Sequence, residues 1–185
     1  MTGLTPTPSS DTLERRFSDF ATLGDALDYA ARGARGLNFH DMRGELARPY
    51  PFREMRSDAM DVAYRLISHG VKKEDRIALI AETGPEFAAL FFGCVYAGAW
   101  PVPLPLPTSF GGKESYIDQL SVQLNSCDPS ILFFPPELAE MAGEAATKCG
   151  VEGVNWAEFN DRIALKTDLP QATTDEICYL QYSSG

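Results

Sequence analysis

Two uninterrupted apolar runs limit this chain more than any other feature: RIALIA at 76–81 and SILFFP at 130–135. A strand with no polar alternation must be covered on both faces, which is the situation of a parallel sheet between two helical layers. The segments around them fit that requirement. After 76–81, Thr83-Gly84-Pro85-Glu86 opens a helical stretch that runs toward Gly98. Thr83 and Glu86 have capping-box spacing, and proline is tolerated in a first turn, where its missing N–H had no partner. A helix with Ile117, Leu120 and Leu124 on its inner face follows, then the strand at 130–135 and a helix at 137–149. EICYLQY at 176–182 reads as a last strand. Each crossover is long enough to hold a helix, so the expected fold class is α/β, a mostly parallel sheet with helices on both faces.

Between these elements lies PVPLPLP, residues 101–107, with four alternate prolines. It must be extended, and it lacks N–H groups along one side. A central strand cannot lose that many donors, so this is an edge strand or one that leaves the sheet early. Ser109 to Gly112 read as a loop.

The front of the chain is less regular. Residues 1–13 read as a flexible lead-in to a domain spanning 14–185, with no linker that would divide it. Thr22 can cap a helix carrying Leu23, Ala26, Leu27, Ala30 and Ala31 at helical spacing. GLNFHD and ELARPYPF form a short extended pair. From Arg53 a helix with Met55, Ala59, Val62, Ala63 and Leu66 on one face runs to Gly70, which is placed to end it.

Composition excludes several classes. The chain is 44% hydrophobic and 23% charged, ordinary for a globular protein. Its 26 acidic against 16 basic residues give −10, which opposes nucleic acid as a main partner. FAALFFGCVYAGAW, at 87–100, falls short of the roughly 20 residues that a membrane span needs, so no span is expected. Cys94, Cys127, Cys149 and Cys178 have no paired spacing and read as reduced thiols in a cytoplasmic protein. His40 and His69 lie near no cysteine cluster, so no metal site is expected. G-x-G-x-x-G, G-x-x-x-x-G-K-[ST] and G-x-S-x-G are all absent. Glu82, Glu86, Asp58 and Asp61 are accounted for by helix starts and solvated faces.

Ser183-Ser184-Gly185 follows the last apolar run, where ligands of parallel sheets bind, beyond the carboxyl ends of strands. Glycine allows close backbone approach and hydroxyls donate to phosphate oxygens. The same tripeptide is also an ordinary surface turn.

From about Phe17 to Gly185 the chain resembles the front of the adenylate-forming enzymes, which include acyl-CoA synthetases, luciferases and peptide-synthetase adenylation domains. RIALIAETGPEFAALFFGCVYAGAWPVPLPLP is similar to that superfamily's strand, helix and A-G-x-x-x-V-P turn. LQYSSG is similar to the opening of its phosphate loop, Y-T-S-G-[ST]-T, with Ser183 in place of the commoner threonine and the hydroxyl kept. TLGDALDYAARGARGLNFHD, SFGGKESYIDQLSVQLNSCDPSILFF and Gln181 before Tyr182 resemble one branch, the fatty acyl-AMP ligases. The resemblance implies a partial N-terminal domain cut within the phosphate loop, with Ser183, Ser184 and Gly185 as its first residues and no catalytic residue within the chain. It implies ATP and Mg2+ as cofactors of the parent enzyme and a fatty acid as substrate. The acceptor would be an acyl carrier protein, or a carrier domain of a polyketide or peptide synthase. The fragment alone would be inactive. A long-chain acyl-CoA synthetase is the rival within the superfamily, and a non-catalytic α/β binding or scaffold module is the rival outside it.

Overall fold

The computed structural model describes residues 13–107 and 112–183. Helix α1 (Leu23–Ala30) begins where Thr22 accepts the Asp25 N–H at 3.1 Å. Strands β1 (Gly36–His40) and β2 (Leu46–Pro51) form an antiparallel hairpin. Helix α2 (Phe52–Ser68) follows directly, and Gly70 takes φ +98° just after it. Leu27, Tyr50 and Met55 join these parts in a small cluster of their own, with the Tyr50 hydroxyl 2.8 Å from Asp58.

The main sheet holds β3 (Arg76–Ile80), β4 (Trp100–Leu104), β5 (Ile131–Phe134) and β6 (Glu152–Asn155), all parallel, in the order β4-β3-β5-β6. Helices α3 (Pro85–Tyr96), α4 (Lys113–Cys127) and α5 (Ala139–Cys149) make the crossovers, and α6 (Trp156–Asn160) follows β6. Strand side chains alternate between two cores, as the pleat requires. Ile77, Leu79, Ile131, Phe133 and Val154 pack with α2, α3 and α6. Ala78, Ile80, Val102, Leu104, Leu132 and Phe134 pack with α4 and α5. Both layers are apolar, so the strands read as continuous apolar runs.

Four details differ from the reading of the sequence. Thr83 does not cap α3: the N-cap is Gly84, without a side-chain cap, and the Glu86 carboxylate turns toward Arg48, 4.0 Å away. The helix expected from 137 divides into a 3-10 turn at Pro136–Leu138 and α5. Strand β6 and helix α6 are not legible in the sequence, since an edge strand of four residues with one buried side chain, Val154, carries almost no pattern. Residues 176–182 form no strand. The loop expected at 109–112 lies outside the described residues except for Gly112, and the lead-in at 1–13 does so except for Leu13.

Candidate phosphate-binding segment

The stretch that carries Ser183 is placed by β4. In β4 the N–H of Trp100 reaches the Asp75 carbonyl at 2.8 Å, and the Leu104 carbonyl accepts from Ala81 at 2.8 Å. Trp100, Val102 and Leu104 therefore turn their main-chain groups toward β3, while Pro101 and Pro103 turn theirs outward. The prolines sit where no inner ladder donor is needed, and β4 is an edge strand as expected.

Residues 177–183 run along that outer edge in the direction of β4. Glu176 pairs with Lys73 at the start of β3 and β4, and the Leu180 N–H donates to the Pro101 carbonyl at 3.0 Å. The side chains keep strand alternation. Leu180 packs into the α4/α5 core, Tyr179 meets the Phe91 ring of α3 at 5.6 Å on the other face, and the Tyr182 hydroxyl donates to the Gln123 carbonyl of α4 at 3.1 Å. This is the register of a further parallel strand without its ladder. In a parallel pair the Leu180 carbonyl would need the N–H of residue 103, and that residue is proline. The prolines that made β4 legible as an edge thus prevent the strand expected beside it.

Ser183 is exposed at the end of this segment. Its hydroxyl can donate to a phosphate oxygen, and the partly buried Leu180 and the tied Tyr182 fix the chain leading to it. Ser184 and Gly185 lie outside the described residues. Burial holds the Tyr182 hydroxyl above its usual range, so it remains a neutral anchor. Lys73 holds the Glu176 carboxyl below the usual carboxylate range.

The sheet reverses its winding between β3 and β5, which is where α/β sheets commonly open a ligand crevice. Here the residues following those strands make it acidic. The Glu82 carboxyl is held above its ordinary range by burial, then by repulsion from Glu137 and Glu86. A triphosphate would be repelled there, whereas the segment ending in Ser183 lies two strands away, beyond β4. Among the described residues no three His, Cys, Asp or Glu side chains group as a metal site. Likewise no helix among them is long and apolar enough to cross a membrane. The anchors Lys73, Gln123 and Phe91 leave no trace in local spacing, since they lie between 59 and 103 residues from their partners.

The three-layer arrangement is that of the N-terminal domain of the adenylate-forming fold. A solved structure from a study of fatty acyl-adenylate ligases from E. coli and L. pneumophila superposes with a TM-score of 0.87 at 37% identity, covering 92% of this chain and 31% of that one. The chain belongs to the AMP-binding enzyme family, whose model matches residues 39–185. A provisionally named acyl-CoA synthetase of Caulobacter vibrioides is 42% identical over 184 residues, covering 98% of this chain and 31% of that protein. The medium-chain-fatty-acid–[acyl-carrier-protein] ligase JamA of Moorena producens is 28% identical over 178 residues, covering 90% of this chain and 29% of JamA. The chain thus spans about a third of the length of the curated relatives it matches.

Proposed function

We propose that residues 14–185 are the N-terminal portion of the adenylation domain of a fatty acyl-AMP ligase. The parent enzyme activates a fatty acid with ATP in the cytoplasm and passes the acyl group to an acyl carrier protein or a synthase carrier domain. A carboxylate oxygen of the fatty acid attacks the α-phosphorus of ATP, the bond to the bridging oxygen breaks, and pyrophosphate leaves with that electron pair. The mixed anhydride keeps the acyl group activated for transfer. The observation that carries this reading is the 37% identity and close superposition, over nearly the whole chain, with a structure from the fatty acyl-adenylate ligase study.

In this reading Ser183, Ser184 and Gly185 open the loop that holds the triphosphate, chiefly through backbone N–H groups. In this reading Mg2+ accompanies the nucleotide and would neutralise the charge that develops on the leaving pyrophosphate. In this reading the chain, about a third of the length of its relatives, is inactive alone.

A CoA-forming acyl synthetase is the second reading, favoured by the name of the Caulobacter relative. Supplying the parent enzyme with ATP, a labelled fatty acid, CoA and holo carrier protein separates the two. Acyl-carrier protein is the expected product, and acyl-CoA as the main product overturns the ligase assignment.

A further inference from the structure

We propose that Pro103 is a positioning residue for the segment leading to Ser183: by withholding a main-chain donor, it leaves residues 177–183 held to the sheet by a single backbone bond and free to lift without opening the sheet. This rests on the reading of Ser183 as the start of a phosphate loop.

The two sides of β4 differ in kind. Toward β3 the strand is paired over five residues, from Arg76↔Trp100 to Ile80↔Leu104. Toward 177–183 it offers carbonyls without donors at 101 and 103, and among the described residues the Leu180 N–H to Pro101 bond is the one that forms. A partner strand here can give hydrogen bonds and receive none. Lateral placement is nevertheless well defined, because Leu180, Tyr179 and Tyr182 each meet a different neighbour on one face or the other. Side chains therefore tell the segment where to return, while the backbone leaves it easy to remove. Elements that move on ligand binding come from the low-stability end of a structure, and a loop that grips a triphosphate and releases pyrophosphate is such an element. A fully paired strand would tie the loop to the stability of the buried sheet.

The alternative role for edge prolines is protection against edge-to-edge association. The experiment separates the two and needs no nucleotide, so its failure is distinct from failure of the phosphate reading. Amide hydrogen exchange is measured residue by residue on the 185-residue chain, for wild type, P103A and P103V, with P107A as a control that relaxes a proline without placing a donor opposite Leu180. In wild type the Leu180 amide should exchange at least about a hundredfold faster than Ala78 and Leu79 in β3. In P103A and P103V the new N–H can reach the Leu180 carbonyl. Exchange at Leu180 should then slow about fivefold, the equivalent of one added hydrogen bond, with no matching change at Ala78. P107A should leave Leu180 unchanged. Wild-type protection at Leu180 equal to that at Ala78 would overturn the proposal. So would unchanged exchange in both Pro103 variants, whether or not they self-associate.

Discussion

At the scale of single residues, Gly93 and Glu82 show how much one position can decide. A Cβ at Gly93 would lie 2.3 Å from Val62 Cγ1 and 3.2 Å from the Ala59 carbonyl, so α2 and α3 meet where only hydrogen fits. G93A should cost about 2 kcal/mol of stability by urea unfolding, with part of the loss recovered in V62A/G93A. Strictly additive losses would show that the clash is elsewhere. Glu82 has its carboxyl raised by burial and by Glu137 and Glu86. A carboxyl raised on folding holds its proton more tightly in the native state, so its penalty is absent below the unfolded-state value and grows as pH rises toward the raised folded one. E82Q should therefore raise the thermal midpoint at pH 7, by an amount equivalent to roughly half a kcal/mol or less for so accessible a site, and leave it unchanged near pH 3.5. An equal shift at both pH values would contradict the charge explanation. For Ser183, truncation to alanine in the parent enzyme should weaken ATP binding by about 1 kcal/mol, because backbone groups carry most of a phosphate grip. A complete loss of binding by equilibrium titration would assign the hydroxyl a larger role.

Among elements, β5 and the 177–183 segment mark the two extremes of how firmly a stretch is held. Phe133 in β5 is fully buried, between Leu79 and the Phe159 ring at 4.7 Å. F133A should lose about 3–5 kcal/mol by chemical denaturation, since α6 and the sheet cannot both collapse into the gap. A loss under 1 kcal/mol would mean that this face repacks freely. The segment at 177–183 keeps the side-chain rhythm of a strand, but among the described residues Leu180 to Pro101 is its one backbone bond to the sheet. Its pattern was legible in EICYLQY, and its failure to pair was already latent in PVPLPLP, but the two facts meet only when the chain brings residues 101–103 beside 178–180. Strand β6 is illegible for the opposite reason: its pairing with β5 is complete across four residues, from Ile131↔Glu152 to Phe134↔Asn155, yet its own residues carry one apolar signal.

For the molecule as a unit, one apolar surface lies on the β4 side. Ile177 and Tyr179 are 50% and 39% exposed, and Tyr182 is 40% exposed, all on the segment lining that edge. Leu106 just beyond β4 and Val122 on α4 are also exposed. Apolar side chains exposed on one segment favour association. The 185-residue chain should bind a hydrophobic dye and show concentration-dependent association in sedimentation, and I177S/Y179S should reduce both. A dye-silent monomer at every concentration would contradict this. The net charge of −10 opposes association, so added salt should promote it by screening.

Local chemistry along the chain dictates the layers and their order. Continuous apolar runs require two covered faces, helical crossovers require parallel strands, and alternate prolines require an edge. Each of these follows from chemistry within a few neighbouring residues. The sequence also carries the family, in motifs spread along the chain. Long-range packing is what makes Gly84 rather than Thr83 the cap of α3, the crevice between β3 and β5 acidic, and the edge beside the segment before Ser183 free of donors at 101 and 103. Those outcomes depend on which distant groups share a boundary, and hydrogen bonding and charge repulsion act at such boundaries whatever the separation along the chain.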